Sequence, residues 1–465
     1  MAAAAEETMK LANKIEALDP DFMIPARLDR LPFSAFHVLT LAVVGLAHLF
    51  DAFDSLTIAF VLPALIGAWH IHAMQIGLLL AVGYCGQLIG AVGMSGLAER
   101  FGRRPALMAA LFIVSLLSLG CAAAPSYPVL LVLRFVQGVG LGGEVPIAAS
   151  FLNELCPTRL RGRIVFILQA LFAGGALATA FIATQIIPHY GWRVMFVIGG
   201  LPLVLAVLLP WLVPESPRWL ATVGRASEAN ALVTRIEAQI VASGRTLPIV
   251  EVSLVPPIKT QAAGLRDLLG KGYRSRSLSV WLIAFCLSVT GYGLLAWMPT
   301  LYVSVYKLPL KLSLAYALVP NAAGIAGALF GAWAVERIGR KPCFLMGFLG
   351  GAAPLLILVG MRLPAHDVML LSAVSMFFLT LLLSGIYVYA PEIYPTRMRA
   401  LGTGVATAWM RIASIVGPLI VGLLLSHVGL PSVFGFFAGA SLVGAATVAA
   451  FFVETRGRRL EELAA

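Results

Sequence analysis

Charge is what this chain has least of. Only 12% of its 465 residues are Asp, Glu, Lys or Arg, where a soluble globular chain carries about a quarter. That shortage excludes an ordinary soluble enzyme. Cysteines are few as well. Cys85, Cys121, Cys156, Cys286 and Cys343 are scattered without metal-ligand spacing, and they read as packing residues. There is no nucleotide-binding loop, no catalytic-triad spacing and no metal cluster in the sequence, so no enzymatic activity, ATP hydrolysis or cofactor is expected. The residues before Leu39 lack the short apolar core and small-residue cleavage site of a signal peptide.

What is abundant is apolar. Hydrophobic residues make up 60% of the chain, and the mean hydropathy is +0.92. A helix crossing about 30 Å of hydrocarbon needs roughly 20 mostly apolar residues. Such stretches recur at 39–67, 75–97, 106–124, 129–152, 165–187, 194–213, 278–303, 314–335, 343–359, 368–390, 402–426 and 433–452. The expectation is an all-α membrane protein of twelve transmembrane helices in two six-helix bundles. Its parts would be an N-terminal segment (1–38), a first bundle (39–213), a central loop (214–277), a second bundle (278–452) and a tail (453–465).

The net charge of +11 suggests nucleic acid until it is mapped. Under an in–out alternation that starts inside, 27 of the 33 Lys and Arg fall on one side, and only Arg193, Lys307, Lys311 and Arg362 fall on the other. This is the positive-inside pattern, with both termini cytoplasmic. It accounts for the basic balance without any nucleic acid.

Three features repeat at nearly one offset. Glu99-Arg-Phe-Gly-Arg-Arg-Pro105 matches Glu336-Arg-Ile-Gly-Arg-Lys-Pro342, and Glu154-x-x-Pro-x-x-x-Arg161 matches Glu392-x-x-Pro-x-x-x-Arg399. Pro214-Glu-Ser216 has a weaker echo in Val453-Glu-Thr455. The halves therefore read as parallel repeats about an axis along the membrane normal. Each places carboxylates (Glu99, Glu154, Glu215; Glu336, Glu392, Glu454) beside basic side chains (Arg103, Arg104, Arg161, Arg218; Arg340, Arg399) at the cytoplasmic rim. A guanidinium grips a carboxylate with a planar fork. Clusters across the seam between halves would latch the outward-facing state; the plainer reading is basic loops that only hold orientation.

Ser95-Gly-Leu-Ala-Glu-Arg-Phe-Gly-Arg-Arg104 resembles the loop between helices 2 and 3 of major facilitator transporters, although Ser95 stands in place of the usual glycine. Arg134-Phe-Val-Gln-Gly-Val-Gly-Leu-Gly142 is similar to the fourth-helix motif of that superfamily. Pro214-Glu-Ser-Pro-Arg-Trp-Leu220 and Pro391-Glu-Ile-Tyr-Pro-Thr-Arg397 resemble its sugar-porter side. The resemblance spans essentially the whole chain. It implies transport by alternating access, and a monomer in a bacterial inner membrane.

Ionisable residues within spans cost roughly 2.5–3.5 kcal/mol on insertion scales and usually face a cavity. Asp51 and Asp54 share one face of the first span, and two close carboxylates tend to hold a proton between them. The alternative is a structural pairing with an Arg of another helix. Asp51-Ala-Phe-Asp54 resembles the acidic segment of aromatic-acid and niacin transporters, with Ala52 in place of the usual glycine. Arg134, in the fourth span, is the expected partner of Asp54 or Asp51, and the resemblance ties its position to proton coupling. Glu144 lies about 15 Å further along that helix, too far to pair with Arg134, and is a second proton-site candidate; the alternative is a carboxylate satisfied by a neighbouring Gln or Tyr.

Arg411 lies mid-way along the eleventh span with no acid near it on its own helix. An arginine in a cavity is a ready carboxylate receptor; the alternative is a salt bridge to another helix. By resemblance to organic-ion transporters, an arginine at this position goes with anionic substrates. Phe53, Tyr292, Tyr387, Tyr389 and Trp409 are candidates to stack on a substrate ring, with packing as the plainer reading. Gln169, Asn321 and Thr290 are candidates to orient polar groups, and Pro320 is expected to break the eighth span.

The reading reached from sequence is a proton-coupled symporter of a small organic anion. By resemblance, the anion is an aromatic monocarboxylate such as nicotinate. The alternatives are a sugar or polyol transporter and a membrane sensor on a transporter fold.

Overall fold

The computed structural model describes residues 20–250, 264–270 and 272–455. The basic residues Lys10, Lys14, Lys259, Lys271, Arg456, Arg458 and Arg459 of the charge count, and the tail beyond residue 455, lie outside them. Among the described residues there are helices and no strands. Twelve helices are long and apolar enough to cross a membrane: Ala35–Trp69, Ala73–Phe101, Arg103–Ala122, Tyr127–Leu155, Ile167–Tyr190, Arg193–Leu212, Arg274–Ser304, Leu310–Arg337, Arg340–Gly360, Ala365–Glu392, Leu401–His427 and Leu430–Phe451. They are called the first to twelfth spans below. Each matches one apolar stretch of the sequence to within a few residues at either end, and most run on into the polar rim. The sixth is two pieces, Arg193–Gly199 and Pro202–Leu212, because Pro202 has no N–H to continue the ladder. The break expected in the eighth span is absent: its helix runs through Pro320.

The repeat read from sequence is a repeat of packing. The second span lies against the fourth and the first against the fifth; in the second half, the eighth lies against the tenth and the seventh against the eleventh. The halves meet where the second span packs on the eleventh, the fifth on the eighth and the first on the seventh. Glycines set the closest of these approaches. A Cβ on Gly138 or Gly142 of the fourth span would collide with the backbone oxygens of Gly83 and Gln87 in the second, so only glycine lets these helices touch.

The rim motifs repeat atom for atom. Arg103 forks onto Glu154 (Nη2–Oε1 2.8 Å) and donates to the Ala98 carbonyl. Arg340 does the same with Glu392 (2.8 Å) and Val335. Glu215 accepts from the backbone N–H groups of Arg103, Arg104 and Ser216; Glu454 accepts from those of Arg340, Lys341 and Thr455. Both carboxylates thus cap the first turn of a span, where N–H groups lack helical partners and the dipole favours negative charge. Gly102 and Gly339 precede those turns with φ of 108° and 109°, a region open only to glycine. Arg161 and Arg399 donate to the backbone carbonyls of Asn153 and Pro391.

The apolar core shows which face is closed. On the face opposite the rim motifs one cluster joins both halves, from Phe60, Leu62 and Ile76 to Trp297, Leu301 and Tyr302. On the basic face the cores are separate, one within the first half around Leu107, Phe151 and Leu155, the other within the second around Phe344, Ile386 and Met398. The protein is therefore sealed at the opposite face and parted at the basic one. The rim ion pairs agree with this. Arg103–Glu154 and Arg340–Glu392 each stay within one half, and Glu99 and Glu336 are exposed.

The N-terminal segment and central loop build a small unit that sequence reasoning did not anticipate. Helix Pro20–Asp29 packs on Pro217–Thr222 and Ala226–Ala242 through Ile24, Leu28, Trp219, Val233 and Ile236. Glu237 receives Arg27 and Arg30 at 2.6 Å each. Burial raises the Glu237 carboxyl, but these two guanidinium groups more than offset it and hold it below the ordinary carboxylate range. Arg218 pairs with Asp29 at 2.9 Å and donates to the Glu154 carbonyl, and Trp219 donates to the Glu99 carbonyl. The unit is thereby tied to the first half.

Candidate functional site

Between the halves lies a cavity of about 600 Å³, lined by the first, fifth, seventh, eighth and tenth spans. Its wall is mostly apolar, with Phe172, Leu287, Leu295 and Met376 among the lining residues, and its polar groups are Gln169, Tyr292, Asn321, Thr380 and Tyr387. A mostly apolar cleft with few polar groups is the usual form of a small-molecule site. Four of the nine substrate-site residues expected from sequence therefore line it: Gln169, Tyr292, Asn321 and Tyr387. Asn321 turns its amide N–H back to the Ala317 carbonyl of its own helix.

Arg411 reaches across from the eleventh span and donates to the side-chain oxygen of Gln87 on the second. It lies in electrostatic reach of Tyr84, Tyr292, Tyr387 and Asp51. Tyr84 and Tyr292 face each other from opposite halves, ring centres 6.5 Å apart. A guanidinium beside aromatic rings and held by a neutral amide keeps its charge uncancelled by that partner.

Three expected ring-stacking residues sit elsewhere. Tyr389 is buried, stacks on Phe452 at 3.8 Å and accepts from the Val453 N–H. It belongs to the packing of the tenth span on the chain after the twelfth. Phe53 is buried beside Phe50. Trp409 stacks on Trp281 at 6.3 Å and meets Phe285 edge-on, in an aromatic cluster between the seventh and eleventh spans. In each case a neighbouring ring gives the side chain an apolar surface outside the cavity. Thr290 bonds to the Cys286 carbonyl in its own helix.

The carboxylates of the first span do not form the shared-proton pair expected of them, because each is engaged by a different set of neighbours. Asp54 accepts from Ser118 Oγ at 3.2 Å and from Gln137 Nε2. Gln137 in turn accepts from Arg134 at 2.8 Å, and Arg134 Nη1 lies 3.9 Å from Asp54 Oδ2. Arg134 and Asp54 are 3% and 1% exposed, so the amide of Gln137 links two buried opposite charges. The second group is Asp51 with His48 and Glu144, whose ligand-type atoms lie within 4.8 Å of one another. His48 Nδ1 and Glu144 Oε2 are 3.0 Å apart.

Sequence reasoning missed His48, Gln87, Ser118 and Gln137. Two had a readable signal: His48 lies one helical turn before Asp51, and Gln137 one turn after Arg134, so each shares a face with a residue already singled out. Gln87 and Ser118 sit on helices that carry no charge nearby, and only packing brings them in.

Known proteins bear on this geometry. Residues 42–465 match the family model described as sugar (and other) transporter. The niacin transporter NiaP of Acinetobacter baylyi is 35% identical over 440 residues, 94% of this chain and 99% of that protein. The gallate transporter of Pseudomonas putida is 30% identical over 88% of this chain and 90% of its own length. In fold, the chain superposes on the xylose transporter XylE from E. coli in its partially occluded inward-open conformation. The TM-score is 0.74 at 20% identity, covering 92% of this chain and all of that one. Helix content, repeat, cavity and relatives agree that this is a transporter and not an enzyme: the chain belongs to the sugar (and other) transporter family of the major facilitator superfamily.

Proposed function

We propose that the protein imports a small aromatic monocarboxylate such as nicotinate, together with protons, by alternating access across a bacterial inner membrane. The basic face would be cytoplasmic and the working unit a monomer. The observation that carries this is Arg411. It is a cation held by a neutral amide, in electrostatic reach of Tyr292 and Tyr387, two rings of an otherwise mostly apolar cavity. A carboxylate on a planar ring matches that pairing, with the acid on the guanidinium fork and the ring among tyrosines and apolar side chains. A sugar matches it poorly, since hydroxyls need amide and hydroxyl partners along their whole rim. Relatives that are a niacin transporter and a gallate transporter support the same class.

Proton coupling is assigned to Asp54 with Arg134 and Gln137. Protonation of Asp54 would remove half of a buried ion pair and free Arg134 to shift. The halves would then rock, the rim would exchange its within-half ion pairs for others, and substrate would enter from the sealed face. The test is binding of nicotinate, nicotinamide, benzoate, gallate and xylose to the purified protein by calorimetry. The reading expects the aromatic acids to bind, and xylose and nicotinamide, which lacks the carboxylate, to bind far more weakly. Equal affinity for nicotinate and nicotinamide would remove Arg411 from the account.

A further inference from the structure

The group His48, Asp51 and Glu144 is not used by the mechanism above, and its chemistry is incomplete. All three are buried, with side chains of His48 and Glu144 only 4% and 2% exposed. One oxygen of each carboxylate, Asp51 Oδ1 and Glu144 Oε1, is buried with no hydrogen-bond partner. A buried ionised carboxylate needs each oxygen satisfied, or a proton. The charged and titratable groups around the cluster come from each helix that faces it. They are Asp54 from the first span, Tyr84 from the second, Tyr292 from the seventh and Arg411 from the eleventh, while Arg134 of the fourth faces Asp54 and Tyr84. From the fifth span, the Phe172 ring lies 5.5 Å from that of His48. Asp54 is already compensated by Arg134 and Gln137. Arg411 is therefore the cation left to balance Asp51, while His48 faces Glu144.

We propose that this cluster is a second proton-loading site, filled when a substrate carboxylate engages Arg411. With Arg411 and His48 charged, Asp51 and Glu144 are both balanced. A substrate anion on Arg411 takes that compensation from Asp51, and a proton on Asp51 restores it. One monoanion would then travel with two protons, one at Asp54 and one at the cluster, and each cycle would move one net positive charge inward. The inference rests on the proposed anion–proton symport and adds its stoichiometry. His48 acts here as a positioning residue for Glu144.

The test uses full-length protein in proteoliposomes, with nicotinate at equal pH on both sides and an inside-negative potassium–valinomycin potential. The wild type is expected to accumulate nicotinate under the potential alone. Asp51→Asn and Glu144→Gln are expected to lose at least nine-tenths of that response while still responding to a pH gradient. Uptake that follows the pH gradient but ignores the potential in the wild type overturns the second site and leaves the symport reading intact. If no gradient drives nicotinate uptake, the symport reading fails instead, and infrared difference spectra of the purified protein across pH decide about the cluster. They should show one protonated-carboxyl band removed by Asp54→Asn and another removed by Asp51→Asn. A single band that follows Asp54 alone overturns the proposal.

Discussion

Replacing Gly77 with valine should push the protein out of the arrangement seen here and toward one open at the opposite face. Gly77 lies in the second span where it crosses the eleventh. A Cβ at this position would fall 2.5 Å from the Pro418 carbonyl oxygen, 3.2 Å from its carbon and 3.4 Å from Leu419 Cα. These are backbone atoms and cannot rotate away, so the helices must separate by roughly 1 Å at this crossing to reach ordinary van der Waals contact. Overpacking of this kind costs about 1–3 kcal/mol. The cost falls on the state in which the two halves touch at this face and vanishes when they part. The equilibrium should therefore move by roughly 5- to 150-fold. Gly422 of the eleventh span makes the reciprocal approach, a Cβ there falling 2.8 Å from the Ala73 carbonyl oxygen, so Gly422→Val should act in the same direction. The assay is thiol labelling of Leu295→Cys, a cavity residue, by a membrane-impermeant reagent added to either side of oriented vesicles. The variant should label faster from the opposite face and more slowly from the basic face. Unchanged labelling would refute the claim that this crossing closes the opposite face.

Other expectations follow from the same geometry. Arg411→Gln should weaken nicotinate binding by roughly 10- to 150-fold, the worth of a charge-assisted hydrogen bond of about 1.5–3 kcal/mol, with a much smaller effect on nicotinamide, as calorimetry would show. Asp54→Asn should sharply reduce accumulation driven by a pH gradient yet leave exchange of labelled for unlabelled nicotinate, as counterflow would report. Glu237 is held below the ordinary carboxylate range by Arg27 and Arg30, so its contribution to docking helix Pro20–Asp29 is present above about pH 4.3. That contribution is lost as pH falls through the lower folded value. Hydrogen exchange in this helix should therefore rise on acidification. Glu237→Gln should raise it at neutral pH by about 1 kcal/mol, roughly fivefold, and flatten the pH dependence.

The fold was legible because a bilayer leaves few choices. Length and hydropathy fix the spans, since every backbone polar group must be satisfied within its helix, and the rim motifs betray the repeat through recurring Glu, Gly and Arg at nearly one spacing. The site was legible only where chemistry is expensive. Asp54, Arg134 and Arg411 stand out because charge in a span must have a purpose. Gln137, Gln87 and Ser118 are uncharged and cheap to bury once paired, so nothing in the linear chain marks them. Aromatic residues misled for a related reason. Tyr389 and Tyr387 are two residues apart on one helix, about 200° around its axis, so one lines the cavity while the other packs on Phe452. Composition alone does not show which. The pairing of Asp51 with Asp54 failed because residues on one helical face still take different partners from a neighbouring helix, the fourth span supplying Glu144 to one and, two turns away, Gln137 to the other.

In the proposed cycle a proton gradient drives an aromatic anion through this cavity. This is tested most directly by uptake of radiolabelled nicotinate into proteoliposomes holding the purified protein, with and without an inward proton gradient. Symport requires accumulation above the external concentration when the gradient is present, and collapse to equilibration when an uncoupler is added. Equal uptake with and without the gradient, or none under either condition, would contradict it.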